Sequence, residues 1–168
     1  NCNSTPYLAT VGSENIKKVL PKDTGIEEFQ TNRAYRANEL YGSDLSISKQ
    51  EFYDYKYDTY YSEKSVMKYV LDRFLNEIKT DDAKLLEGIK VLESWDLSNS
   101  KDSEGAVLAL QTFKITYDVN DFEYDYDKIF SDFKESVYYL DKQFGKINVP
   151  LKDFVFLKRG DLLLPVDG

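Results

Sequence analysis

Histidine is absent from this 168-residue sequence, and cysteine, methionine and tryptophan occur once each. Without histidine, a Ser-His-Asp or Cys-His catalytic site and most zinc sites are excluded. The single cysteine, Cys2, excludes an internal disulfide and a zinc cluster, and it leaves the redox compartment open. Any catalysis must therefore use carboxylates, amides or an N-terminal amine, or depend on residues outside this chain.

Long apolar runs and basic clusters are also missing. No apolar run approaches the ~20 residues that a membrane-spanning helix needs, so no membrane span is expected. The net charge is -8, and a negative surface repels phosphate backbones, so nucleic acid is not an expected partner. Aromatic residues, in contrast, are abundant, with 14 Tyr and 10 Phe. This composition predicts one folded domain with a modest core.

Helical signals follow one another between residues 24 and 145 and predict six helices. Two capping boxes, Thr24 with Glu27 and Ser48 with Glu51, open the first two helices, and Gly42 ends the first. The third and fifth helices are predicted to begin at Ser62 and Ser103. The fourth is predicted to run from Thr80 to Trp95, and the sixth to run through Phe130–Phe144 with Gly145 as the stop. The predicted fold class is therefore mainly α.

Both ends of the chain lack a helical period. Residues 1–23 predict a loop with a short strand at Tyr7–Val11, and residues 146–168 predict an extended segment. Within that second segment, Asp153–Leu157 alternates and Asp161–Pro165 is typical of another strand. The expected organisation is thus a helical domain over residues 24–145 between two extended ends.

Arg33 is the unusual residue of the first predicted helix, because it shares a helical stripe with Ile26, Phe29, Ala37 and Leu40. A guanidinium on an interior stripe must find acceptors, since it cannot lose its charge. Two interpretations stay open. Arg33 is either an arginine near the helix end that reaches the surface, or a buried cation that holds a polar network beside the preceding loop.

The preceding loop begins with Asn1-Cys2-Asn3-Ser4-Thr5-Pro6. Asparagines before such a turn are usually turn formers. Cys2 as a nucleophile would need a base other than histidine, so it is interpreted as a small buried side chain. The tyrosine-rich stretch Phe52–Tyr61 is interpreted as a half-buried helix whose hydroxyls reach water, with a ligand surface as the alternative.

The Asn1–Pro6 segment resembles the Asn-x-Asn-x-x-Pro segment in the β-subunit of the penicillin acylase family, which includes acyl-homoserine-lactone and aculeacin-type acylases. Further similarities keep the family's order along the chain. They are Asn32-Arg33-Ala34-Tyr35-Arg36, Leu45-Ser46-Ile47-Ser48 with Asp58, Trp95-Asp96, Ser103-Glu104-Gly105-Ala106, Phe144-Gly145, Lys158-Arg159-Gly160-Asp161-Leu162 and Pro165-Val166-Asp167-Gly168. Two departures are Cys2, where some members have Trp, and Leu151-Lys152-Asp153, which lacks a Trp-Gly often found there.

The resemblance implies a fold and a mechanism. The chain would be an internal fragment of the β-subunit of a larger αββα N-terminal-nucleophile hydrolase, with residues 1–23 as an active-site segment and 146–168 rejoining the missing core. Autocleavage of the precursor would expose an upstream serine whose own amine serves as the base. Asn3 would supply an oxyanion-hole amide, and Arg33 would position Asn3. The fragment alone would be inactive.

The same resemblance implies the partners and the location. The partners would be the α-subunit, the remainder of the β-subunit and a small N-acyl substrate, in the periplasm or outside the cell. Penicillins, acyl-homoserine lactones and cyclic lipopeptides all stay open as substrates, and Cys2 in place of Trp favours the latter two. No cofactor and no metal site is predicted, although some members bind calcium and Glu14 falls where a ligand could lie. The alternative function is an all-α protein- or ligand-binding module without catalysis.

Overall fold

The computed structural model describes residues 5–10, 12–16, 25–26, 30–115 and 123–168. Within these ranges the chain forms six α-helices, and the prediction of a mainly α segment is confirmed. The helices are α1 (Asn32–Tyr41), α2 (Lys49–Lys56), α3 (Val66–Glu77), α4 (Ala83–Ser94), α5 (Ala106–Phe113) and α6 (Tyr126–Phe144). Strands β1 (Phe156–Arg159) and β2 (Leu162–Pro165) pair as an antiparallel hairpin.

Two helix signals lie where the sequence places them. Ser48 Oγ accepts from the Glu51 backbone N–H, and the Glu51 carboxylate accepts from the Ser48 N–H, so the predicted capping box opens α2. Gly145 ends α6 in the left-handed conformation, with a φ of 69°, which glycine adopts without steric penalty. Two other helices begin three and two residues after their predicted caps, because Ser65 and Asp82 accept the orphan backbone N–H groups of α3 and α4.

The first helix begins later than predicted. Thr31 is its cap, because the Thr31 hydroxyl accepts from the Ala34 backbone N–H. The described residues before it, 25, 26 and 30, are not helical, and Gly25 has a φ of 71°, outside the helical region. The prediction of a helix from residue 24 is therefore wrong over these positions. Three residues of the predicted start lie outside the described part of the chain: Thr24, Glu27 and Phe29.

The chain ends differ in part from the prediction. Pro6–Leu8 forms a 3-10 turn capped by Thr5, so the strand predicted at Tyr7–Val11 is wrong where the chain is described, and Val11 lies outside it. Leu151–Asp153 is a second 3-10 turn, and the extended chain begins only at β1. The strand predicted over Asp161–Pro165 is confirmed as β2, which places Leu163 opposite Lys158 in β1.

The core lies where α3, α4 and α6 surround α5, together with the chain that follows α6. Phe74 of α3 makes edge contacts with Phe113 at 5.8 Å and with Phe133 at 5.3 Å between ring centroids. Gly88 lets α4 approach α6 closely, because a Cβ there would lie 2.6 Å from Val137 Cγ2. Other fully buried side chains complete this core: Met67, Val70, Leu92, Leu108, Leu140, Ile147, Val149 and Leu151.

The first two helices are attached to this core more loosely. Ala34 is the one buried residue of α1, and α2 has none. None of the helices in the described ranges is both long enough and apolar enough to cross a membrane. The candidate site lies beside α1 and the segment that follows α2, where these loosely attached helices meet the apolar core.

Candidate functional site

A cavity of about 420 Å³ lies between the first turn of α1, the chain after α2 and the beginning of α3. Its wall carries two guanidinium groups, one carboxylate and several amides and hydroxyls, together with an apolar patch. The polar lining includes Gln30, Asn32, Arg33, Arg36, Asp58, Thr59 and Asn99. The apolar patch consists of Val66, Met67 and Ile115. A concave site with few polar groups and an apolar floor is typical of small-molecule sites.

Arg36 organises one side of this cavity. Its Nε and Nη2 donate to the two carboxylate oxygens of Asp58, at 2.8 and 2.6 Å, and its Nη1 donates to Glu39 at 2.9 Å. The other oxygen of Glu39 accepts from the Ser62 hydroxyl at 2.5 Å. The hydrogen bonds to Asp58, and secondarily those to Glu39, raise the pKa of Arg36 above its ordinary value, so this guanidinium stays charged.

Asn32 ties the first turn of α1 to the opposite wall. Its Oδ1 accepts from the Ser62 backbone N–H at 2.7 Å, and its Nδ2 donates to the Tyr60 carbonyl at 3.3 Å. One amide side chain thus satisfies two backbone groups of a loop 28 to 30 residues away. This pairing holds the segment that carries Asp58 at a fixed position against α1.

Residues 59–61 are also joined to residues 97–99. The Tyr61 N–H donates to the Leu97 carbonyl, and the Asn99 N–H donates to the Thr59 carbonyl, both at 2.9 Å. The Asn99 carbonyl in turn accepts from the Gly168 N–H at 2.8 Å. The C-terminal residues of the chain therefore close the cavity beside Asn99.

Trp95 packs against Tyr61, which is one of the residues of this wall. Its indole Nε1 donates to the Ser98 carbonyl at 2.8 Å, and its ring meets Tyr61 edge-on at 6.0 Å between centroids. Gly105 lies directly against it, because a Cβ on Gly105 would come within 2.5 Å of the Trp95 Cβ. The glycine before α5 is thus required by the packing of the only tryptophan in the sequence.

Arg33 lies at the cavity, on an exposed part of α1. The prediction that its stripe faces the interior is wrong, because Ala34 makes the buried contact and successive helical residues point about 100° apart. The surface interpretation of Arg33 agrees with this placement. The cation that holds a polar network is Arg36, and its spacing of three from Glu39 is the signal that could have identified it.

Other predicted residues have the following positions. Asn3 and Cys2 lie outside the described part of the chain. Glu14 is exposed, and among the described residues no group of three His, Cys, Asp or Glu side chains is arranged to hold a metal ion. Of the helix predicted over Phe52–Tyr61, only the part up to Lys56 is helical. Tyr53 on this helix is exposed, whereas Tyr55 packs against Tyr41 and its hydroxyl donates to Asp44 at 2.9 Å.

A comparison of the sequence with protein-family models and with curated proteins finds no match. The cavity and the residues around it are therefore the basis on which a function is assigned. Several stretches of the sequence line it: residues 30–33 with 36, residues 58–61, residues 65–67, and residues 99, 115 and 168.

Proposed function

We propose that this chain forms the helical part of an N-acyl amidohydrolase of the penicillin acylase type. In this enzyme, a serine supplied by another part of the protein attacks the amide carbonyl, and the serine's own amine accepts its proton. The amine product leaves, and water hydrolyses the acyl-enzyme. Asn3 donates an amide N–H to the oxyanion, and Arg33 positions Asn3. The chain alone lacks the nucleophile and has no activity.

One observation carries this proposal. Three segments that resemble the acylase family are distant in sequence, yet each places a residue on a single cavity: Arg36, Asp58 and Gly168 all line it. Arg36 pairs with Asp58, and the Gly168 N–H donates to the Asn99 carbonyl on the same wall. Chance similarities would be scattered over the surface, whereas residues of one functional site are expected to converge.

The charge distribution of the cavity supports the same chemistry. Arg36 is held by two carboxylates, and Arg33 places a second guanidinium on the same wall. Both arginines belong to α1, and the partial positive charge at a helix N-terminus also favours an anion. A wall of this kind stabilises negative charge, which is what the tetrahedral intermediate of amide hydrolysis develops.

The partners that we propose are the α-subunit, the remainder of the β-subunit and a small N-acyl substrate, in the periplasm or outside the cell. The exposed apolar residues of the hairpin support a protein partner, because Leu162, Leu163 and Leu164 are each about half exposed. The larger αββα fold would supply the strands that cover them.

A binding module without catalysis is the second candidate, and α2 favours it. Phe52, Tyr53 and Tyr57 are all exposed, and the rings of Tyr53 and Tyr57 are nearly parallel, 6.5 Å apart. Exposed aromatic residues are common in protein interfaces. If this candidate is correct, replacing Phe52 and Tyr57 with alanine removes partner binding, while no preparation of the protein hydrolyses an amide.

Hydrolysis of a chromogenic N-acyl amide tests the proposal. We expect turnover by the whole processed enzyme and none by the 168-residue chain. Turnover by the isolated chain that survives Cys2→Ala would overturn the proposal, because the chain would then contain its own nucleophile. Absence of turnover in a fully processed whole enzyme, over a panel of acyl chains, would also overturn it.

A further inference from the structure

The β1–β2 hairpin has two outer edges, and they are not equivalent. A two-residue turn, Gly160-Asp161, joins the strands, and Gly160 has a φ of 59°. Glycine at the first position of a two-residue turn is typical of tight antiparallel hairpins. Among the described strands, β1 and β2 pair only with each other. Both outer edges are therefore open within the described part of the chain.

Pro165 determines which backbone groups point outwards. It lies opposite Phe156, and it has no N–H to donate. In an antiparallel ladder, pairs that exchange two hydrogen bonds alternate with pairs that exchange none. Phe156 and Pro165 therefore form a pair of the second kind. Lys158 and Leu163, two positions along the ladder, form another. The N–H and C=O groups of such residues point away from the partner strand.

The outer edge of β1 is consequently complete, whereas that of β2 is interrupted. On β1, Phe156 and Lys158 each turn an N–H and a C=O outwards. On β2, Leu163 does the same, but Pro165 offers only its carbonyl, and its ring occupies the place of the N–H. Proline on an outer edge obstructs the addition of a further strand. A third strand can therefore pair fully with β1 and only partly with β2.

The contacts of the hairpin with the rest of the fold also leave β1 open. β2 lies beside the 3-10 turn Leu151–Asp153. The chain after β2 is held in place, because the Lys101 N–H donates to the Asp167 carboxylate at 2.6 Å. Among the described residues, none outside the hairpin accepts from the N–H of Phe156 or of Lys158. The edge with the complete set of backbone groups is thus free to pair.

Two cations at the end of β1 indicate the chemistry of an added strand. Lys158 and Arg159 are adjacent, so their side chains lie on opposite faces of the sheet, and both are exposed. Neither forms an ion pair with a described residue, and Asp161 in the turn is included in this statement. Phe156 and Leu157, at the start of β1, are also exposed. A strand with carboxylates opposite the cations and apolar side chains opposite the other two residues would complement β1.

We propose that the outer edge of β1 pairs with a strand from the remainder of the β-subunit, in which two adjacent acidic residues face Lys158 and Arg159. This inference rests on the proposed function, because that function requires a further part of the protein. Main-chain hydrogen bonds hold such a strand, and side chains on alternate faces select it. The pairing converts a two-stranded hairpin, which is marginally stable alone, into a sheet of three or more strands.

Residue-resolved amide hydrogen exchange tests the pairing in the whole processed enzyme and in the 168-residue chain, the latter diluted until it is monomeric. In the whole enzyme, we expect the N–H groups of Phe156 and Lys158 to exchange about 100-fold more slowly than in the isolated chain, because the added strand accepts from them. The Leu163 N–H, on the other edge, is the internal control and should exchange at similar rates in both. Unchanged exchange at Phe156 and Lys158, or equal slowing at Leu163, would overturn the inference.

Lys158→Pro and Leu163→Pro are matched variants, because each removes one outward N–H from the same cross-strand pair, on opposite edges. Neither removes a hydrogen bond between β1 and β2. In the whole enzyme, we expect Lys158→Pro to speed exchange at Phe156 about tenfold and Leu163→Pro to leave it unchanged. Equal effects of the two variants would overturn the choice of edge. Should Lys158→Pro fail to fold, the exchange rates of the unmodified enzyme still decide the question.

Lys158→Glu tests the charge of the added strand, because it keeps the outward N–H and reverses the side-chain charge. A carboxylate opposite it would then be repelled, and we expect exchange at Phe156 in the whole enzyme to become about twofold to fivefold faster. Unchanged exchange at Phe156 in this variant would overturn the assignment of acidic residues to the added strand.

A second copy of the chain is the other possible occupant. Slowing at Phe156 and Lys158 that grows with the concentration of the isolated chain, with no further slowing in the whole enzyme, would identify a second copy and overturn the inference. Activity is measured separately. A whole enzyme that hydrolyses N-acyl amides without slowed exchange at these residues would overturn only the inference, whereas slowed exchange in a whole protein that hydrolyses no amide would overturn only the proposed function.

Discussion

The guanidinium of Arg36 and the carboxylate of Asp58 form a two-point hydrogen-bonded pair, 22 residues apart in the chain. The pair is mostly enclosed, with the Arg36 side chain 22% exposed and that of Asp58 13% exposed. It joins α1 to the segment that follows α2, alongside the two hydrogen bonds that Asn32 makes to Tyr60 and Ser62. The geometry is a planar fork on a carboxylate, which lysine cannot reproduce.

Breaking this pair should destabilise the fold. Asp58→Ala leaves a partly buried guanidinium with one carboxylate fewer, and we expect the free energy of unfolding in urea to fall by about 1–3 kcal/mol. Arg36→Lys keeps the charge but loses the fork, so most of the same loss is expected. Asp72→Ala is the control, because its exposed bridge to Lys68 contributes only about 0.5 kcal/mol. Equal losses for Asp58→Ala and Asp72→Ala would contradict the account.

Gly105→Ala should disturb the packing of Trp95. The added Cβ would lie 2.5 Å from Trp95 Cβ and 2.6 Å from its Cγ, atoms close to the backbone that cannot swing aside. We expect a loss of about 1–3 kcal/mol in urea unfolding, and a change in the fluorescence of the only tryptophan. Gly12→Ala is the control, because nothing lies within 4 Å of a Cβ there. Unchanged stability and fluorescence in Gly105→Ala would show that the contact is absent.

Capping signals predicted the start of α2 and the end of α6, because Ser48 with Glu51 and the final Gly145 act locally. The start of α1 was mispredicted for a related reason. Its true cap, Thr31, is followed three residues later by Ala34 and so lacks the acidic partner of a capping box. The capping-box pattern favoured Thr24 as the cap, whereas Thr31 is the residue that caps α1 in the structure.

The polar part of the site was less predictable than the helices. The contact between Arg36 and Asp58 depends on how α1 meets a distant loop, and no spacing along one helix encodes it. Asn99 and Gln30 likewise reach the cavity wall, and are buried there, only through tertiary packing. Arg33 and Arg36 belong to the same short motif in the sequence, and both lie at the cavity.

Tyr124 should titrate at unusually high pH. Its ring lies against Arg73, 3.8 Å from ring centroid to guanidinium carbon, and its hydroxyl donates to Glu77. Burial and, next in size, the bond to Glu77 raise the pKa of Tyr124 from the ordinary tyrosine value of 10.0 to about 12. Because the folded-state pKa is the higher one, the linked stability is complete below pH 10 and is lost as the pH rises towards about 12.

The measurement for Tyr124 is a difference between two ultraviolet tyrosinate titrations, one of the unmodified chain and one of Tyr124→Phe. The difference isolates a single tyrosine among 14. We expect its midpoint at about 12. A midpoint at the ordinary tyrosine value of 10.0 would mean that burial and the bond to Glu77 do not act on this hydroxyl.

The β1–β2 hairpin should make the isolated chain self-associate. Its apolar side chains are exposed on both faces, and among the described strands each pairs only with the other. Leu163→Glu places a carboxylate opposite Lys158, so the hairpin is retained while its apolar surface is interrupted. We expect the average mass in sedimentation equilibrium to fall towards that of the monomer. Leu86→Glu, at an exposed leucine on α4, should leave it unchanged. A monomeric unmodified chain at all concentrations would contradict this prediction.

We propose that Asn3 donates to the oxyanion and that Arg33 positions Asn3. The direct measurement is kcat for Asn3→Ala, Arg33→Ala and the double variant in the whole enzyme, after a gel has established complete processing. We expect Asn3→Ala to lower kcat by about two to three powers of ten, which corresponds to roughly 2.7–4 kcal/mol. The KM should change much less, because the bond strengthens in the transition state.

Arg33→Ala should also lower kcat, and the two losses should be strongly non-additive, since both act through the same amide. A fully processed Asn3→Ala enzyme with unchanged kcat would contradict this role, because the Asn3 side chain would then take no part in the mechanism.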